Sequence, residues 1–273
     1  MPTFNEIVKF IQTLYNGKCL NFSDDSKILQ ISSINDANHP QTLTWVNSTE
    51  KLQEKPFTAG LVIAPKHAFY YEKTICVDNP KYVLAMVLKK FFTNLAENKH
   101  AIAKKSFRIG DNSSIVNTYM GTNCHIGANC SIGYPGINIA RDNNNNFTDF
   151  LHIGTVEIGD HVKIGNNVCI QRAIFGKTRI LHYSTIGSLV NIGHNCEIGR
   201  EVVIINGAII CGSVKIGDGS CIGAGAIIRN KVKIGKNVTV GAGSVVLKDI
   251  PDNKKVIGNP ARIIKSTKEY PPK

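Results

Sequence analysis

No apolar run in this 273-residue sequence approaches the length of a membrane span, which takes about 20 consecutive apolar residues. Residues 1–20 alternate polar and apolar as a short amphipathic helix does and carry no signal-peptide pattern. A cytoplasmic protein without membrane insertion is therefore expected. Eight cysteines are present, but none forms a Cys-x-x-Cys pair, and they read as small core residues of a reduced protein. Acidic residues are scarce, 20 against 32 basic, for a net charge of +12. Long basic runs and interleaved aromatics are missing as well: the lysines lie in separate pairs (Lys89-Lys90, Lys104-Lys105, Lys254-Lys255). Nucleic acid is therefore not an expected partner. A dispersed basic surface suits phosphorylated small molecules or an acidic carrier protein.

What the chain has is a count of sixes. Ile158, Ile164 and Ile170 begin it; after a four-residue slip through Ile174 it resumes at Ile180 and continues through Ile186, Ile192, Ile198, Ile204, Ile210, Ile216, Ile222, Ile228, Ile234 and Val240 to Val246. A β-branched residue at every sixth position, often followed by glycine, is the hexapeptide signature of a parallel β-helix. Two residues before each isoleucine stands a small or branched residue (Val190, Cys196, Val202, Ala208, Val214), so both members of each pair point inward from a short strand. Intervening Gly, Asp and Asn supply the corners. Three sides close a triangular coil, which stacks residues eighteen apart. A weaker count, Ile109, Ile115, Met120, Ile126 and Ile132, starts the coil near residue 103. Between Ile132 and Ile158 the count fails in a polar stretch that includes Tyr134 and Asn143 to Asn146, and a loop over 134–155 is expected to leave the coil there. Such loops commonly carry function.

The first hundred residues hold no hexads. Helical spacing through Phe4, Ile7, Val8, Ile11 and Leu14 ends near Asn16-Gly17. Strand-like runs follow at 28–31, 42–46, 61–63 and 74–77. Asp78-Asn79-Pro80 then opens a second helix over roughly 81–95, with an apolar stripe through Tyr82, Ala85, Met86 and Phe92. The expected organisation is a small α/β domain over 1–100, the β-helix over 101–250 and a short tail over 251–273.

Specific motifs add to this. Ile34-Asn35-Asp36-Ala37, Leu43-Thr44-Trp45-Val46-Asn47, Leu61-Val62-Ile63 and Val77-Asp78-Asn79-Pro80, followed in the coil by Ile132-Gly133-Tyr134, Gly154-Thr155-Val156-Glu157-Ile158-Gly159-Asp160, Ile170-Gln171-Arg172-Ala173 and Asn191-Ile192-Gly193-His194-Asn195, resemble the UDP-3-O-acyl-glucosamine N-acyltransferases of lipid A synthesis over about residues 1–247. The resemblance implies a left-handed β-helix, a homotrimer, and transfer of an acyl group from a thioester to a sugar amine, with no permanently bound cofactor and no metal. By position alone His194 is an outward corner residue. By resemblance it is the general base, a task that a neutral imidazole near pH 7 suits. Gly212, one coil further on, then matches the glycine whose backbone N–H meets the thioester oxygen. Asn191, Tyr134, Trp45 and Asn47 are the expected contacts for a nucleotide-linked sugar.

The chain departs from that family at several points. Gly187 stands where the family has an aspartate that orients its histidine, Lys231 where it has a second histidine, and Thr44 and Glu50 where it has the aromatic pair for uracil. The segment Gly258-Asn259-Pro260-Ala261-Arg262 resembles the ending of CoA-dependent hexapeptide acetyltransferases instead, and makes Lys231, Lys248 and Arg262 candidates for CoA phosphates, alongside Gly212. The expected reaction is therefore N-acylation of a dTDP- or UDP-linked amino sugar, such as a 4-amino-4,6-dideoxyhexose, by acyl-CoA in cell-surface polysaccharide synthesis. The alternative is the lipid A reaction itself, with an acyl carrier protein as donor. A zinc carbonic anhydrase on the same coil needs three converging imidazoles, and beside His182 and His194 no third histidine has helpful spacing. A non-catalytic solenoid is the remaining reading.

Overall fold

The sixes stack into three walls. In the computed structural model, which describes residues 1–15, 24–33, 37–48, 50–53, 58–66, 68, 73–103 and 107–264, Ile180, Ile198, Ile216 and Ile234 pair in parallel on one side of the coil. Ile186, Ile204, Ile222 and Val240 do so on the second, and Ile192, Ile210, Ile228 and Val246 on the third. These isoleucines are buried, as are Val190, Cys196, Val202, Ala208 and Val214 two residues before them. Each buried isoleucine contributes roughly 1.5–3 kcal/mol, repeated at every side of every coil. Ser184 and Ser220 take the same inward place, and each hydroxyl donates to a carbonyl, Gly199 O and Gly235 O, at 2.8 Å, so neither hydroxyl is stranded. The described cysteines form no disulfide with one another, and burial pushes the Cys196 thiol up to about 12.

The register records each interruption. Ile158 pairs with Ile180, twenty-two residues on, and Ile132 with Ile170, thirty-eight on, where the uninterrupted coil uses eighteen. The surplus leaves the walls at corners, between Gln171 and Lys177 and between Tyr134 and Thr155. The coil starts at Ile102–Ala103, which pairs with Thr118–Met120. Ile109 does not join the buried column: its strand is the edge of its sheet and it is exposed. At the other end Lys255–Ile257 adds to the second wall and folds back on Arg262–Ile264 in an antiparallel pair, so the first part of the expected tail is a hairpin.

Residues 98–136 and 152–273 make up this unit, and residues 1–97 with 137–151 make up another. Most of the loop expected at 134–155 thus groups with the first hundred residues. In that unit β1 (Gln30–Ile31), β2 (Thr42–Trp45), β3 (Leu61–Pro65) and β4 (Thr74–Val77) form one parallel sheet in sequence order. The helix α1 is Phe4–Tyr15, α2 is Glu50–Gln53 and α3 is Pro80–Phe91. Proline at the first helical position, where no N–H is needed, and Asn79 Oδ1 accepting from Tyr82 N at 3.1 Å start α3. Its buried side is Val83, Leu84, Ala85, Val87 and Leu88; Tyr82 and Met86, placed in the stripe by spacing, are only half-buried. It stops at Phe92, earlier than expected, and a separate turn α4 covers Thr93–Ala96.

The asparagine-rich segment is a hairpin, with Ile139–Arg141 antiparallel to Phe147–Asp149. Asp142 Oδ1 accepts from Asn144 N and Asn146 N at its tip. The expected helix end at Asn16-Gly17, residues 34–36 of the first motif, Lys104-Lys105 and the tail from 265 lie outside the described residues. No helix among the described residues is long and apolar enough to cross a membrane.

Candidate active site

The corner after the third wall turns through Gly193, His194 and Asn195. Asn195 takes the left-handed conformation, φ 59°, which asparagine tolerates better than most residues. That turn directs the half-buried His194 ring toward the same corner of the next coil. A methyl group at Gly212 would lie 2.6 Å from His194 Nε2, far inside van der Waals contact, so the glycine is what lets the imidazole reach across. Ser213 N donates to His194 O at 2.7 Å and fastens the two corners together. Among the described residues no acceptor takes the Gly212 N–H.

His194 is oriented from the four-residue slip. His194 Nδ1 and Asn195 Oδ1 are 3.1 Å apart. That oxygen also accepts from Ile174 N at 2.9 Å, and Asn195 Nδ2 donates to Phe175 O at 2.8 Å. Two backbone groups therefore set which end of the amide is oxygen. An amide oxygen only accepts, so Nδ1 carries the proton and the basic lone pair is on Nε2, facing Gly212. Gln171 Oε1 accepts from His194 N at 3.2 Å. Segment 171–175 meets the end of the other interruption as well: Ile153 N donates to Ile174 O and Gly154 N to Ala173 O. The buried Arg172 donates through Nε to Gly154 O at 2.6 Å. Burial pushes its guanidinium down to about 10, so it remains charged at neutral pH. His152, buried, packs its ring 5.6 Å from that of His194 at an interplanar angle of 74°. Among the described residues no group of three His, Cys, Asp or Glu side chains has metal-site geometry.

The pattern of bacterial transferase hexapeptides (six repeats) matches residues 213–248, and that of the hexapeptide repeat of succinyl-transferase matches 118–142. The UDP-3-O-acylglucosamine N-acyltransferase of Helicobacter pylori strain 26695 is 27% identical over 242 residues, 72% of each chain. The UDP-3-O-acylglucosamine N-acyltransferase 1 of Gloeobacter violaceus is 54% identical over 110 residues, 40% of this chain. It is a hexapeptide-repeat chain resembling the UDP-3-O-acylglucosamine N-acyltransferases. The match spans about a third of the Gloeobacter relative's own length, 32%. A solved Francisella novicida UDP-N-acetylglucosamine acyltransferase has 24% identity and a TM-score of 0.52 over 62% of this chain and 68% of that one. That likeness is one of fold, the left-handed β-helix.

On this hexapeptide-repeat scaffold the expected residues fall into groups. His194 and Gly212 come together. Lys231 follows one coil on, its N–H on Gly212 O at 3.0 Å and its side chain exposed. Lys248 and Arg262 line one small cavity of about 110 Å³ with Leu247, Pro260 and Ala261. Asn191 lies on the third wall between Cys169 and Ile209. Tyr134 hydrogen-bonds Ser114 Oγ through its hydroxyl at 2.7 Å. Trp45 and Asn47 belong to the other unit, where Trp45 stands 6.1 Å from Phe150, ring to ring. Thr44, next to it, is buried with Oγ1 on Ser32 O. A wider groove of about 460 Å³ on the first wall runs past Arg179, Glu197 and Lys215. Lys215 is paired with Glu197 at 2.8 Å there.

Asn195, His152, Gln171 and Arg172 were assigned no role from the sequence. The slip at Ile170, Ile174 and Ile180 was the available signal, since residues in excess of a repeat must go somewhere. Asn195 gives His194 a neutral partner at Nδ1. Asn195→Asp puts a carboxylate there, raises the imidazole pKa, and is expected to move the acid limb of the kcat/KM profile to higher pH by about 1–3 units. Steady-state rates across pH check this; superimposed profiles would break the link between residue 195 and the base.

Proposed function

We propose that this chain transfers an acyl group from a thioester to the amino group of a nucleotide-linked amino sugar. The observation that carries the reading is an imidazole held in one tautomer, with its basic nitrogen against a glycine backbone. The sugar amine attacks the thioester carbonyl, and Nε2 of His194 takes the proton from the attacking nitrogen. Charge collects on the carbonyl oxygen, for which the Gly212 N–H is the donor. Collapse breaks the carbon–sulfur bond, the proton passes to the leaving thiolate, and amide and thiol are the products. An approach this close to backbone needs the missing side chain at 212.

The donor we favour is acyl-CoA. Lys248 lies three coils beyond His194, about 14 Å at the usual strand spacing, and shares its cavity with Arg262. Two cations at that remove suit the phosphates of a donor whose thioester is at Gly212, with Lys231 between. Asn191 and Tyr134 on the coil are the proposed sugar contacts, with dTDP or UDP as the nucleotide and a 4-amino-4,6-dideoxyhexose as the sugar; Trp45 and Asn47 remain candidates for nucleotide contacts by resemblance alone. The names of the curated relatives, UDP-3-O-acylglucosamine N-acyltransferases, favour a second reading for the acceptor; in it a UDP-3-O-acyl-glucosamine is N-acylated, and we pair it with a 3-hydroxyacyl group from acyl carrier protein as donor. We take the working assembly to be a homotrimer in the cytoplasm.

Thiol release from acyl-CoA and from acyl carrier protein, measured with each amino sugar and with mass spectrometry of the product, separates the donors. Acyl-CoA turnover is expected, and Lys248→Ala with Arg262→Ala should raise KM for CoA by about tenfold or more through loss of charge-assisted contacts. Turnover only with a 3-hydroxyacyl carrier protein would replace the first reading by the second.

A further inference from the structure

We propose that His152 is a positioning residue that holds the His194 ring in its working orientation. This rests on the reading of His194 as the base. A histidine on a coil corner is ordinarily steadied by side chains stacked on it from the neighbouring coils. Here the next coil offers Gly212, which has none, because that space must admit the reacting group. The Nδ1 contact with Asn195 at 3.1 Å holds one edge of the ring, and the terminal torsion of histidine is broad and roughly two-fold. Without a second restraint the ring can swing, or turn over and bring carbon where Nε2 should be.

His152 supplies a second restraint. It is 3% exposed, and its ring meets that of His194 at 5.6 Å and 74°, the edge-to-face arrangement that aromatic pairs favour. The brace is itself held. Ile153 N and Gly154 N donate to Ile174 O and Ala173 O, and Arg172 Nε donates to Gly154 O. Ile174 N in turn donates to Asn195 Oδ1. One short segment therefore fixes both restraints on the base: the acceptor for Nδ1 and the stretch of chain that carries His152. His152 is also the first residue after 137–151, the segment that groups with the other unit, so the brace stands where the chain re-enters the coil.

The test compares His152→Ala and His152→Phe in the full chain. Steady-state transfer from the thioester gives one readout, and the ¹⁵N spectrum of ¹⁵N-histidine-labelled protein gives another that needs no substrate. His152→Ala is expected to lower kcat by about tenfold to 10²-fold, the scale of a small misplacement of a reacting group, with KM for the amino sugar unchanged. The His194 nitrogens should then lose the pattern of a single Nδ1–H tautomer. His152→Phe keeps a flat ring without ionisable nitrogens and should restore both. If alanine leaves the His194 tautomer as it is, or phenylalanine restores neither readout in a protein that melts like the native chain, the proposal is wrong. Should the alanine variant not fold, the phenylalanine variant decides alone: loss of its single-tautomer spectrum overturns the proposal. Absence of transfer by the native chain from any thioester would overturn the acyltransferase reading, while the spectra still judge the brace.

Discussion

His194→Ala is expected to lower kcat by about 10²- to 10⁴-fold, the contribution of a well-placed general base, with KM and melting temperature close to those of the native chain. The ring is half-buried at a corner and adds nothing to the column of isoleucines inside the coil. Its removal leaves the His194 backbone bonds to Gln171 and Ser213 in place. What is lost is the acceptor for the proton of the attacking amine, so the deficit should appear in kcat and not in binding. It should also shrink as pH rises and more of the sugar amine is deprotonated in solution. Undiminished transfer by this variant would take the imidazole out of the chemistry and favour a coil that only binds or assembles.

Gly212→Ala should be nearly as damaging, although it adds one methyl group and removes nothing. The new carbon would lie 2.6 Å from His194 Nε2 and 2.8 Å from Cε1. A flexible side chain would move aside at little cost. This ring is held by Asn195 on one side and packed by His152 on another. The methyl group therefore displaces the base or fills the approach to the Gly212 N–H, and a loss of about 10²- to 10³-fold follows, the scale of an oxyanion donor removed. Gly212 is not among the glycines with positive φ, so alanine brings no backbone strain and folding should survive. The double variant His194→Ala with Gly212→Ala separates steric from electrostatic effects. With the ring gone the methyl group has room, and the second substitution should add little to the first, as for residues that act as a unit. Full additivity in kcat/KM across the four proteins would mean that residues 194 and 212 do not share a site.

The walls were legible because their physics is local and repeated. A period of six with an inward pair in each turn has one packing solution, and Ile180, Ile198 and Ile216 stand in a row as spacing requires. The same ruler brought Gly212 to His194. It erred at Ile109, where the column has no further rung to cover it, and along α3. There spacing chose Tyr82 and Met86, while the sheet covers Val83, Leu84, Val87 and Leu88, because the buried side of a helix is set by what it meets. The hairpin over 139–149 was read only as a polar loop, since asparagine runs have no periodicity of their own. Trp45 and Asn47 were named by resemblance; Trp45 stands beside Phe150, a residue about a hundred positions away that no motif joined to it.

The sequence by itself determined the coil, its three walls and the column in which His194 and Gly212 stand, because repeated burial of branched side chains at fixed spacing leaves the backbone no other course. Only the tertiary structure decided what orients His194. Ile174 and Phe175 fix the Asn195 amide beside His194, and His152 packs against the His194 ring; all three come from the interruptions of the repeat. An interruption has no period from which its partners can be read, and hydrogen bonds to backbone groups depend on where the surplus residues come to rest.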